Sequence, residues 1–132
     1  GRLRAETDGQ AIPVGDPLPV DGTRYDFRTP RAIGGVRLDT AYRDLERDPD
    51  GLARVELAGP DGRAAVLWMD AGYDHLMLYT GDALADPARR RGGLAVEPMT
   101  CAPNALATGG DGLITLAAGA SASATWGLSP RR

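Results

Sequence analysis

A single cysteine in 132 residues removes two kinds of chemistry at once. Cys101 has no second thiol to pair with, so no intrachain disulfide forms and no thiolate metal cage can be assembled from this chain alone. That suits a reducing compartment. No apolar run comes near the ~20 residues that a membrane-spanning helix requires. The start, Gly1 to Gly9, carries charges where a signal peptide needs an apolar stretch, and the expected location is the cytoplasm. The charge balance also excludes: 18 acidic against 15 basic residues leave a net charge of -3. Nothing in that balance attracts nucleic acid or an anionic membrane, so the expected partner is a small neutral ligand. Internal repeats, low-complexity tracts and a phosphate-cradling glycine motif are likewise missing.

What is present is an ordinary globular composition, 42% apolar and 25% charged, in a chain of one-domain length. Glycine (18 residues) and proline (10 residues) are scattered among short apolar runs, which favours many strands joined by turns over long helices. The clearest hairpin joins 53–57 to 63–69 through Gly59-Pro60-Asp61-Gly62. Its first arm puts Val55 and Leu57 on one face, opposite Arg54 and Glu56. Its second arm is apolar on both faces and is expected to lie centrally in a sheet. Further strands are expected at 75–80, 94–97, 113–116 and 121–128. Residues 83–91 have helical content, but Pro87 limits them to a short turn or a helix beginning at the proline, with the three arginines in water. The stretch from Glu6 to Thr23, with Pro13, Pro17 and Pro19, reads as a loop.

Two segments bring acidic groups beside apolar strands, Leu38-Asp39-Thr40-Ala41-Tyr42 and Leu94-Ala95-Val96-Glu97-Pro98-Met99. The ring of Pro98 biases Glu97 towards extended geometry and fixes the direction of its carboxylate. If the neighbouring Leu94, Val96 and Met99 enclose it, desolvation raises its proton affinity into the range of a general base. On composition alone a solvated charge at a strand end is the commoner outcome. Asp39 has the equally plain alternative of a turn or cap residue. Trp68 and Trp126 lie in apolar strands and read as core residues. Asp26 and Arg28 read as a surface pair, and Cys101 as a small buried residue.

The segment Glu97-Pro98-Met99-Thr100-Cys101-Ala102-Pro103-Asn104-Ala105 resembles the Glu-Pro-Met-Thr-x-x-Pro-Asn-Ala segment of the aldose 1-epimerase (galactose mutarotase) family. Ile12-Pro13-Val14-Gly15, Tyr25-Asp26-Phe27-Arg28, Leu38-Asp39, Leu78-Tyr79-Thr80-Gly81 and Thr125-Trp126 accompany it in family order. The resemblance implies an all-β fold, an antiparallel β-sandwich of which residues 1–132 form roughly the second half. It implies interconversion of the α and β anomers of a free hexose by ring opening, without metal or cofactor. Glu97 then corresponds to the general base and Asp39 to an acidic residue that holds sugar hydroxyls. The family's proton-donating histidine belongs to the amino-terminal half, which these residues do not include. His75 matches a structural strand, and Thr40 stands where many relatives carry histidine. The rival reading is a mutarotase-like protein that is truncated, or that binds carbohydrate without turnover. If the chain is complete as given, uncovered sheet edges are expected to cause self-association.

Overall fold

The computed structural model describes residues 1–8 and 12–131. Its strands are β1 (Leu3–Arg4), β2 (Leu18–Pro19), β3 (Asp39–Arg43), β4 (Ala53–Ala58), β5 (Ala64–Met69), β6 (His75–Tyr79), β7 (Ala95–Met99) and β8 (Trp126–Arg131). A 3-10 turn at Pro87–Arg89 and the short helix α1 (Ala105–Thr108) complete the regular elements among the described residues. Two antiparallel sheets result, one ordered β2-β1-β3-β6-β7 and one ordered β4-β5-β8. The fold is all-β, as the distribution of glycine and proline implies.

The sheets meet through their apolar faces. Leu38, Tyr42, Leu76 and Leu78 on one side pack with Ala53, Leu67 and Met69 on the other in a single buried cluster. Because side chains alternate along a strand, this assigns the opposite face of the larger sheet to Asp39, Ala41 and Arg43 and to their cross-strand partners. Between the sheets an open cleft of ≈ 800 Å³ persists, bordered by Phe27, Ile33, Leu45, Val55 and Leu57. The buried residues Leu38, Tyr42, Ala53, Met69, Leu76 and Leu78 also line this cleft, so it runs along the core itself.

The 53–69 hairpin forms with Ala53 opposite Met69 and Ala58 opposite Ala64, and β5 is the middle strand of its sheet. The expected turn at the proline also forms, with the Asp86 carboxylate accepting from the Ala88 N–H. Other expectations need correction. Residues 113–116 are not a strand: among the described residues none pairs with them in a ladder, and Ile114 and Leu116 stand half exposed. The last strand begins at Trp126 and not at 121, because β5 ends at Met69 and pairing starts only there. Asp70 marks that boundary, its carboxylate accepting from Thr125 N (2.8 Å) and from Gly72 N (2.9 Å).

Neither tryptophan is a core residue. Trp126 is 53% exposed although it is paired with the buried Met69, and it stands at the start of the edge strand β8. Trp68 is half-buried on the outward face of β5, lying across Gly127, where a Cβ would collide with its indole ring. Arg91 does not project freely into water. Its guanidinium donates to Gly34 O (2.7 Å), Val36 O (3.2 Å) and Asp82 Oδ1 (2.9 Å). Within the stretch from Glu6 to Thr23, mostly loop, the two residues of β2 pair with β1, and Thr7 bridges Pro13; residues 9–11 lie outside the described set.

Candidate active site on the outer sheet face

Three neighbouring strands set the geometry. β3 pairs with β6 so that Asp39 faces Tyr79 and Ala41 faces Met77, and β6 pairs with β7 so that Tyr79 faces Ala95 and Met77 faces Glu97. Directly opposed residues point to the same side of a sheet, so Asp39 and Glu97 share its outer face. They lie two strands apart and two residues out of step, which places their Cα atoms roughly 12 Å from each other at ordinary strand spacing. Both side chains are exposed. Glu97 is thus aimed as the proline-fixed backbone implies, but it stands in solvent and not in the apolar enclosure that its neighbours in sequence suggest. Val96 turns inward to the core, as alternation requires.

Asp39 lines a cavity of ≈ 470 Å³ with Arg4, Glu6, Arg24, Tyr25 and Tyr79. Its position is held from below by Thr80, which is buried and whose Oγ1 accepts from Leu38 N (2.9 Å). Thr80 N in turn donates to Leu38 O (3.0 Å). The Thr80 hydroxyl bonds the Asp82 carboxylate, which also accepts from Arg91. These bonds, the hydroxyl first and the guanidinium second, hold Asp82 below its ordinary pKa and keep it ionised. Arg91 therefore ties the turn before β3 to the end of β6, fixing the strand start at which Asp39 sits.

The only histidine also lies on this face, opposite Arg43 and Met99, but its side chain is 4% exposed. His75 Nε2 comes within 3.4 Å of Asp111 Oδ2, and that carboxylate is bound by Arg43 at 2.6 Å. This pins the 100–112 loop against the sheet. The loop closes tightly, with Ala102 N donating to Asp111 O, and Gly112 at φ 78 leaves no room for a Cβ beside Thr100 O. Cys101 in the loop is a free, half-buried thiol. Asp26 and Arg28 pair with each other (2.7 Å) as read from the sequence. Among the described residues, Glu97 lines none of four cavities of 460 to 800 Å³. Among the described residues no group of three or more His, Cys, Asp or Glu side chains is placed to hold a metal ion. No helix among them is long and apolar enough to cross a membrane.

The aldose 1-epimerase family model matches residues 4–129, almost the whole chain. The chain belongs to the aldose 1-epimerase family. No curated protein matches the sequence. Family membership agrees with the two-sheet antiparallel architecture and with the order of motifs along the chain. Three arginines, Arg4, Arg24 and Arg37, line the Asp39 cavity, and they belong to no common motif in the sequence.

Proposed function

We propose that this chain supplies the base and one sugar ligand of an aldose 1-epimerase that acts on a free hexose. The observation that supports this most is the placement of Asp39 and Glu97, both exposed, on one sheet face. Opening a pyranose requires a proton to leave the anomeric hydroxyl while another reaches the ring oxygen, so a base and an acid must flank the sugar. Glu97, rigidly directed and open to approach, takes the anomeric proton. Asp39 accepts from ring hydroxyls and sets the orientation of the sugar. Once the ring is open, rotation about C1–C2 and closure give the other anomer.

His75 is shut off from that surface and does not serve as the acid. In this reading residues 1–132 are roughly the second half of the family's sandwich, and the acid comes from the half that precedes them. A second reading, carbohydrate binding without turnover, is favoured by one fact: the cavity at Asp39 does not reach Glu97. Polarimetry separates the two. The full-length protein should accelerate the rotation change of freshly dissolved α-glucose or α-galactose, whereas these 132 residues alone should lose about 100-fold or more of the rate for want of the acid. Binding with no acceleration by the full-length protein would establish the second reading.

A further inference from the structure

We infer that Arg91 is a positioning residue for sugar binding, one that sets affinity by holding Asp39 and touches no part of the sugar; the inference rests on the role proposed for Asp39. Asp39 is the first residue of β3, and among the described residues its ladder partner is Tyr79 of β6 alone, because β1 pairs with Tyr42 and Arg43 at the other end of the strand. A strand end held from one side is the part that opens most readily. Here the bonding runs on past it. Leu38 N donates to Thr80 Oγ1 (2.9 Å) and Thr80 N to Leu38 O (3.0 Å), while the Thr80 hydroxyl donates to the Asp82 carboxylate.

Arg91 closes that chain of bonds. Its Nη1 donates to both oxygens of Asp82 (2.9 and 3.1 Å) and to Val36 O (3.2 Å), and its Nη2 donates to Gly34 O (2.7 Å). The two carbonyls lie 55 and 57 residues from Arg91 in sequence, so one planar fork fastens the segment before β3 to the segment after β6. Without it the segment before β3 keeps the turn bond from Val36 N to Ile33 O (3.0 Å). Two observations set this apart from an ordinary surface pair. Arg91 has φ 56, a left-handed backbone that a residue with a side chain adopts at a cost, although Gly92 and Gly93 stand next to it and would adopt it freely. Arg91 also stands outside the wall of the Asp39 cavity, to which Arg37, Tyr79 and Asp82 belong, and lines a different cavity with Gly34 and Thr80. Its guanidinium is engaged by the carbonyls and the carboxylate, and it reaches the sugar only through Asp39.

The experiment measures glucose and galactose affinity by calorimetry, together with steady-state mutarotation, for the full-length protein. It compares the parent with R91G, R91K and D39N, and with R91G and R91K each combined with D39N. R91G removes the guanidinium and relieves the left-handed backbone together, so it should fold, as circular dichroism checks. It should raise Kd and KM about fivefold to tenfold with kcat near the parent value. R91K keeps a cation for Asp82 but lacks the planar fork, and should fall between R91G and the parent. In the D39N background neither change should weaken binding further, because the group that Arg91 holds no longer contributes; a general effect on folding would persist there. If R91G fails to fold, R91K decides by the same comparison, and if the protein binds without turnover, Kd decides. Unchanged affinity, a fall in kcat instead, or an equal loss of affinity in both backgrounds overturns the inference and leaves the role of Asp39 standing. A parent that binds neither sugar, or D39N binding as the parent does, overturns that role and the inference with it.

Discussion

At the scale of single residues, the account turns on side chains whose direction is fixed by a neighbour. Glu97 is aimed by Pro98 and by strand alternation, and both were readable from the sequence; its exposure was not, because enclosure depends on what other strands bring near. Asp39 is a candidate only through the resemblance, since one acid between Leu38 and Thr40 has no spacing that marks a site, and its sugar-holding role is the proposal made above. Trp68 and Gly127 show the same limit. The sequence places each in an apolar strand, but only the pairing of β5 with β8 sets them face to face. That contact leads to a prediction: Gly127→Val forces the indole off the strand and should destabilise the fold by about 1–3 kcal/mol in denaturant titration. An unchanged midpoint would show that the tryptophan relocates freely.

At the scale of elements, strands with a partner close in sequence were legible and those without one were not. The 53–69 hairpin carries its own turn, so local chemistry determined it. Residues 113–116 have strand-like content but no ladder partner among the described residues, and Leu113 N donates locally to Gly110 O instead. The onset of β8 is likewise a tertiary event governed by Asp70, whose carboxylate accepts from both Gly72 N and Thr125 N. Asp70→Ala should therefore speed amide hydrogen exchange at 125–128 while leaving the β4–β5 hairpin amides protected. Equal acceleration in both places would mean that the two strands open as one unit and that Asp70 has no local role.

At the scale of the molecule, the two sheets share one core cluster, and the cleft between them is lined by Met69, Val55 and Leu57 alike. The surface carries many acids held by arginine. Asp26 is lowered to about 2, chiefly by its side-chain bond to Arg28, and Asp50 to about 2 by its bond to Arg54. Both titrate at 3.8 when unperturbed, so the unfolded chain binds more protons than the folded one between the two values. Their stabilisation is fully present above that range and is lost as the pH falls through it towards 2. Melting temperature should accordingly fall across this window, and D26N combined with D50N should flatten the fall relative to the parent. A double variant with the parent's full acid dependence would assign the effect to other groups.

The sharpest test concerns the division of labour between the two acids on the outer face. In steady-state mutarotation by the full-length protein, Glu97→Gln should lower kcat by about 10²–10⁴-fold with KM near the parent value. Asp39→Asn should chiefly raise KM, as expected for a group that holds hydroxyls. A Glu97→Gln variant that turns over sugar at the parent rate would contradict the account.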